Sequence, residues 1–532
     1  MRQASVLCLF MFHSGARMGS RHFPARTVLF ERELNGVTYR VPALLYIHCM
    51  GKLLAFAEER LSADDAHANL LVLRRGSFYR NSVEWEDMRA LETATLRHHR
   101  SMNPCPVYDE FTGIVFLFFI AVLGKTPEAY QIITGHNAAR LCYVASSNQG
   151  LSWSKVTDLT EQVIGRAIEE WATFALGPGH GIQLKSGRLL VPAYTYHIDC
   201  KECFGKLCKT TPHSFTFYSD DHGQTWHYGE FIPNLQTGEC QLASVDEEDG
   251  SNVIYCNARS PLGFRVQALS TDDGAVFHSG QLIPRLVEPP HGCQGSIIGF
   301  PAPLFYSLSN PYSCQRSCGS ISGLECPLFS KNSARLQYLP LCNVGIDTLP
   351  TETLICQPQG YQQHMESEGP HPPSNCSNET QGTPSSVSSC RNQGQHKPGA
   401  TFKSNVFHLP TWLLYSHPTS SRSRINMGIY LSTFPRDAES WTEPWVIYEG
   451  HSAYSDLAYI ELPYSEFSAT GIPTIAFGCL YENGIRSPYE QISFSLFTLY
   501  EVIQNIPLKS TLPSCKLPLA NKRERRKCCL IS

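Results

Sequence analysis

The chain has 532 residues, long enough for several small domains or one large β-domain. Its 43 Lys and Arg nearly balance 47 Asp and Glu, and only 17% of residues are charged, which argues against bulk affinity for nucleic acid. Aromatic residues reach 11%, with 24 Tyr and 27 Phe, a composition that suits sheets better than helical bundles.

Ala4–Phe12 is apolar behind Arg2, but His-Ser-Gly-Ala-Arg follows in place of a clean cleavage site. Residues 1–26 therefore read as an N-terminal extension, not a signal peptide. From about Thr38 to Pro301, short apolar strands alternate with turn dipeptides. The longest apolar stretch, between Gly113 and Gly124, reads as a buried strand closed by glycines and is too short to span a bilayer. An eight-residue pattern, Ser-x-Asp-x-Gly-x-Thr-Trp, then recurs at Ser146–Trp153, Ser219–Trp226 and Ser270–Phe277, complete only in the second copy. Asp221, Asp272 and Asn148 suit Asx-type turns. Gly150, Gly223 and Gly274 suit a left-handed position, and Trp153, Trp226 and Phe277 are expected to pack under the hairpins. Turns returning at such intervals predict an all-β, radially repeated sheet protein. A fourth copy near Leu431 is not recognisable.

The 21 cysteines lack paired Cys-x-x-Cys knuckles at zinc-finger spacing. Cys200, Cys203 and Cys208, near His213, read as unpaired or loop thiols in place of a zinc site, so no metal is expected. An odd total favours a reduced, cytosol-facing protein. The strand style breaks over 302–409, and 357–400 is rich in Ser, Pro, Gln, Gly and His, a composition expected to remain disordered. Sequons at Asn375 and Asn378 lie inside it and are discounted. The strand style resumes at Trp412 and runs to about Ile503, so 27–503 reads as one domain with an insertion. The tail, 504–532, ends in Cys529-Leu-Ile-Ser, a prenylation box whose last residue favours farnesyl. Cys528 is a palmitoylation candidate and five basic residues stand just upstream, a combination expected to hold the protein peripherally on a membrane.

Taken singly, the candidate chemical residues read more readily as surface ion pairs or core tyrosines than as functional groups. Their segments together are more specific. YRVPAL (39–44), AFAEER (55–60), SMNPCP (101–106), GPGHGIQL (177–184) and VPAYTY (191–196) resemble the animal exo-α-sialidases. So do ECQ (239–241), NARS (257–260), EPPHGCQGS (288–296), LLYSHPT (413–419) and YSDL (454–457). The blocks and the long insertion look most like the membrane-associated, ganglioside-preferring branch. The resemblance implies a six-bladed β-propeller, no cofactor, and a sialylated glycolipid or glycoprotein as substrate.

It also implies roles. Arg40, Arg259 and Arg424 match the triad that grips the sialic acid carboxylate, work suited to guanidinium forks. Arg60 matches a further pocket arginine. Tyr454 matches the nucleophile, Glu239 its base partner and Asp65 the general acid/base, whose pKa is expected to be raised. Tyrosine is the known exception among glycosidase nucleophiles. A neutral phenol avoids repulsion by the carboxylate on the sugar's anomeric carbon. Tyr194 and Tyr196 match the glycerol side and Met102 with Asn103 the N-acetyl side. Glu128 and Gln294 align with pocket positions through shorter motifs. Arg40 stands before an x-Pro step, in a segment biased to extended backbone. Ser244 replaces a commonly acidic residue, a change expected to alter the support of Glu239. A catalytically dead glycan-binding propeller and an interaction scaffold built around the insertion are the rival readings.

Overall fold

The computed structural model describes residues 22–79, 82–203, 207–303, 408–462 and 474–507. Most of the insertion, both sequons and the Cys528–Cys529 box lie outside these residues.

Antiparallel strands form consecutive meanders. Blade 1 runs Thr38–Ile47, Lys52–Arg60, Ala68–Tyr79 and Ser82–Trp85. Blade 2 runs His99–Asp109, Ile114–Leu123, Ala139–Ser146 and Thr157–Asp158, and its second strand is the long apolar stretch of the sequence. Blade 3 is built on Trp171–Leu176, Leu189–Cys203 and Leu207–Ser219, and blade 4 on Cys240–Asp246, Asn252–Ala258, Phe264–Ser270 and Gln281–Val287.

The remaining sheet has seven strands, because one strand of 18 residues, Trp445–Leu462, belongs to two blades. Its first part pairs with Ile425–Ser432 and completes blade 5 beside Thr411–Pro418 and Ser296–Pro301. Its second part pairs with Thr474–Gly484 and opens blade 6. Blade 6 continues through Gln491–Thr498 and is closed by the N-terminal strand Arg26–Glu31. The result is a six-bladed propeller whose last sheet joins the two ends of the domain. The insertion leaves and returns at one end of blade 5, where Pro301 pairs with Thr411.

The expected Asx bonds form at Asn148, from Ser152 N–H at 3.0 Å, and at Asp221, whereas the bonds of Asp272 run through its backbone. In each copy the serine hydroxyl accepts the glycine N–H: Gly150 to Ser146 at 2.9 Å, Gly223 to Ser219 at 2.8 Å and Gly274 to Ser270 at 3.1 Å. Asp221 also accepts from the Thr225 N–H and hydroxyl, at 2.8 and 2.6 Å. Two successive residues take positive φ, not glycine alone: His222 and Gly223 lie at 58° and 84°. The aromatic rings do not pack only under their own hairpins. Trp226 of blade 3 meets Phe118 of blade 2 edge-on at 4.6 Å, and Trp153 of blade 2 meets Phe56 of blade 1 at 6.0 Å. Each ring thus fills the wedge beside the preceding blade, and Gly223 is hemmed in by Phe116 so closely that a Cβ would collide with it.

A fourth turn is present after all. Thr442 N–H donates to Leu431 C=O, as Ser154 does to Ala145 and His278 to Leu269. The loop between Ser432 and Trp441 is longer than the motif, which hid it, but Trp441 is fully buried against Tyr255 of blade 4. Because Trp226 welds two blades, Trp226→Ala is expected to destabilise the fold by about 3–5 kcal/mol. Urea unfolding is the measurement, and Trp226→Phe should recover much of the loss.

Asp456, fully buried, gathers the inner strands around the axis. Its carboxylate accepts from Leu44 N–H of blade 1 at 2.7 Å and from Gln241 Nε2 of blade 4 at 2.9 Å. Ser296 Oγ of blade 5 donates at 2.9 Å, and His180 Nδ1, beyond the inner strand of blade 3, lies at 2.8 Å. A buried charge so fully bonded has its desolvation offset.

One cysteine expectation fails. Cys200 is disulfide-bonded, whereas Cys208 is free. His213 stacks on Phe231 at 5.4 Å.

Candidate active site

At the end of the axis above Asp456 lies a cavity of about 610 Å³, lined by residues of all six blades. Its functional side chains come from recurring places in the blades. Arg40, Met102, Asn103 and Tyr454 stand on inner strands at β-bulges, marked by register shifts between Arg40 and Ala43, Met102 and Cys105, and Ser452 and Ser455. A bulge leaves a residue out of the ladder and re-aims its side chain. Val41 and Asn103 take φ of 56° and 55°, each just before a proline. The expected extended backbone at Val41 is therefore not found. Pro42 cannot donate to the ladder, and the Val41 N–H turns instead to Glu482 at 2.9 Å. Likewise the Asn103 N–H donates to Glu58 at 2.7 Å.

The remaining residues ride on connections at the same end. Arg60 ends the second strand of blade 1 and Asp65 follows in its loop. Glu128 opens the short helix Glu128–Thr134 of blade 2, whose Gln131 and Ile132 line the cavity. Glu239 precedes the inner strand of blade 4, and Arg259 follows its second strand. Arg424 lies in the matching loop of blade 5.

Tyr454 is the centre of the arrangement. Its hydroxyl donates to Glu239 Oε1 at 2.5 Å, while Arg259 Nη1 donates to Glu239 Oε2 at 2.5 Å and to Tyr454 Oη at 3.2 Å. The guanidinium carbons of Arg40 and Arg424 each lie 5.5 Å from the Tyr454 ring centroid. Burial and then Glu239 push the phenol well above its ordinary pKa, so it stays neutral until a base takes its proton. Arg424 Nη2 is held by Gly292 C=O at 2.9 Å, and Arg259 Nε by His291 C=O at 3.0 Å. Glu128 accepts from Tyr194 Oη at 3.0 Å. Withdrawal into the cavity wall and the nearby Glu239 charge push the Glu128 carboxyl up to about 7.

The pattern is a ring of three arginines around an activated phenol, fit to bind a small carboxylate and attack the carbon bearing it. Residues 51–295 match the BNR repeat-like domain. The chain is 52% identical to mouse Sialidase-4 over 494 residues, covering 92% of this chain and 96% of that protein. It is 42% identical to human Sialidase-3 over 487 residues, covering 91% and 95%. Among solved structures, the intramolecular trans-sialidase from Ruminococcus gnavus superposes with a TM-score of 0.54 at 14% identity, covering 92% of this chain and all of that one, a likeness of fold.

The chain belongs to the sialidase family. It is a glycoside hydrolase acting on sialylated glycoconjugates.

Of the residues expected in the sialidase site, twelve meet in the one cavity: Arg40, Arg60, Asp65, Met102, Asn103, Glu128, Tyr194, Tyr196, Glu239, Arg259, Arg424 and Tyr454. Gln294 does not reach it. Its amide is spent beneath the site, accepting from Ser455 N–H at 3.0 Å and donating to Ser455 C=O at 2.9 Å, so it braces the strand of Tyr454. Ser244 is bonded to Asn252 at 2.9 Å, further along its strand, so its substitution leaves the support of Glu239 to Arg259. The raised pKa expected for Asp65 is also overturned. Burial raises it, but Arg60, bonded to it directly, and Arg40 at 3.5 Å together hold it below the ordinary value.

Three residues escaped the sequence reading. Glu482 accepts from Arg40 Nε at 3.0 Å, Val41 N–H at 2.9 Å and Tyr454 N–H at 3.1 Å, tying one arginine to the backbone of the phenol. Glu58 clamps Arg60 at 2.5 Å. Tyr489 lies under Arg40 at 3.8 Å and bonds Arg424 at 3.3 Å. A carboxylate inside the apolar run Ala476–Tyr481 and its continuation was a readable signal for Glu482, since buried charges need partners. Tyr489 had no such signal.

Glu288 underlies the loop whose carbonyls hold Arg259 and Arg424. It accepts from Arg265 at 3.0 Å and from Cys293 N–H at 2.9 Å. Burial would raise its pKa, but Arg265 and then His417 bring it down to about 2 from 4.5. A depressed carboxylate stabilises the fold above its unfolded pKa, here by roughly 3 kcal/mol, and the contribution is lost as pH falls through about 2. Glu288→Gln is therefore expected to lower stability strongly near neutrality, and urea unfolding should find the gap to wild type narrowing as the pH is taken below 4.5.

Proposed function

We propose that this sialidase is a retaining exo-α-sialidase in which Tyr454 attacks the anomeric carbon as Glu239 takes its proton. Asp65 donates a proton to the departing oxygen and later activates water for the second displacement. Arg40, Arg259 and Arg424 hold the substrate carboxylate and Arg60 positions Asp65. Tyr194, Tyr196 and Glu128 face the glycerol arm, and Met102 with Asn103 the N-acetyl group. The observation that carries this reading is the short Tyr454–Glu239 hydrogen bond, 2.5 Å, with Arg259 bonded to both partners. A phenol with its pKa pushed up needs an adjacent base to become a nucleophile, and Glu239 is that base.

The preferred substrate is a ganglioside, and the enzyme works at a membrane periphery, anchored by a farnesyl group on Cys529 and an acyl chain on Cys528. The support is the basic run and box of the tail, since two membrane signals make durable anchoring where one does not. The test is sialic acid release by the full chain from mixed gangliosides and from a sialylated glycoprotein at matched sialic acid content. The expected result is faster release from gangliosides. Equal or slower release would remove the ganglioside preference, and unchanged membrane recovery of Cys528→Ser/Cys529→Ser would remove the lipid anchor.

A further inference from the structure

Two loops beside the catalytic cavity hold apolar side chains out in solvent. One, between Glu31 and Thr38, carries Leu34 at 110% exposure; the other, between Gly484 and Gln491, carries Ile485 at 88%. The loops are neighbours, joined by Arg32 N–H to Glu490 C=O at 2.9 Å. The second loop also delivers Tyr489 to the cavity, which sets this loop beside it and the bonded first loop next to that.

Neither tip is loose. Glu33 N–H donates to Val37 C=O at 2.9 Å, Gly36 N–H returns to Glu33 C=O at 3.0 Å, and Gly36 takes a φ of 98° that suits glycine. The Glu490 carboxylate accepts from the N–H groups of Ile485, Arg486 and Ser487 at 2.8, 3.0 and 3.2 Å. The loops' acids already carry hydrogen bonds, Glu33 from Tyr39 and Asn35 and Glu490 from backbone N–H groups. Exposed Arg32 and Arg486 flank the tips, and Glu31 and Glu33 are exposed acids on the first loop.

We propose that Leu34 and Ile485 are paired apolar tips that enter the surface of the lipid bilayer carrying the substrate, with Arg32 and Arg486 meeting its anionic headgroups. The proposal rests on the glycolipid reading for its purpose, and it sets the cavity mouth facing the membrane. Apolar groups beside arginines suit the bilayer interface, where the chain buries and the charge stays wet. A protein partner is the poorer fit, because two separated tips offer little of the continuous area that a stable protein interface buries.

The test uses the full chain carrying Cys528→Ser and Cys529→Ser, so that no tail lipid contributes. Sedimentation with vesicles of phosphatidylcholine and phosphatidylserine, with and without ganglioside, compares this parent with Leu34→Ser/Ile485→Ser. Partition should fall about tenfold or more in the tip variant. Release of sialic acid from vesicle-embedded ganglioside should fall with it, while turnover of a soluble sialyl-oligosaccharide stays the same. Equal vesicle binding by parent and variant overturns the proposal, as does loss of self-association in place of loss of vesicle binding. If the parent ignores gangliosides even in detergent while its vesicle binding still depends on the tips, the glycolipid reading fails and the docking surface stands.

Discussion

Tyr454→Phe is expected to lower kcat by on the order of 10⁴-fold or more while leaving affinity for a sialic acid analogue nearly unchanged. The substitution removes one oxygen and keeps the ring that Arg40 and Arg424 face. Arg259 keeps its 2.5 Å bond to Glu239, so the arginine triad remains assembled. Only the nucleophile is gone. Glu239→Gln should show a large loss of its own. The double variant should lose little beyond Tyr454→Phe, because the two groups act as one unit. Steady-state kinetics beside calorimetric binding of the analogue separates the effects. A variant that retained a tenth of wild-type kcat would rule out the covalent phenol.

Asp65→Asn is expected to cut turnover of natural sialosides by about 10²–10⁴-fold, and that of an aryl sialoside far less. The difference lies in the leaving group: a phenolate departs without a proton, a sugar alkoxide does not. The pH dependence has a definite sign. Arg60 and Arg40 hold the Asp65 carboxyl below its ordinary pKa against the opposing effect of burial. The acid form does the work, so kcat/KM should fall as pH rises through this depressed value. A bound substrate carboxylate shares Arg40, weakening the hold on Asp65. The limb in kcat, which reports the complex, is therefore expected at higher pH than the limb in kcat/KM. Paired pH profiles check this, and coincident limbs would remove the coupling through Arg40.

The turn repeats were legible because they are local. Ser219, Asp221, Gly223 and Thr225 bond within seven residues, so their pattern survives in the sequence. The fourth turn was not, since its loop is longer and its role shows only in space, through the Thr442 bond to Leu431 and the burial of Trp441. Twelve candidate residues named through resemblance of motifs line one cavity. Gln294 lies beneath the cavity, since a motif does not record which way a residue faces. Asp65 was misjudged because its pKa depends on Arg60, bonded to it directly, and on Arg40, 25 positions away in sequence and 3.5 Å away in space, contacts that residue order does not show.

Residue order alone carried the all-β repeat, the left-handed turns and a compositional break near 302–409. Alternating apolar strands, glycine turns and a compositional break all act over a few residues. The chemistry at the axis, by contrast, depends on how the blades close. Tyr454 and Glu239 are 215 residues apart, and Arg40 and Glu482 are 442 apart. They meet because the strand Arg26–Glu31 closes the last blade and bulges turn inner-strand residues toward the cavity. The neutrality of the phenol, the depressed Asp65 and the two exposed apolar tips follow from that closure. Electrostatic coupling and exposure depend on distance in space, which residue order does not record.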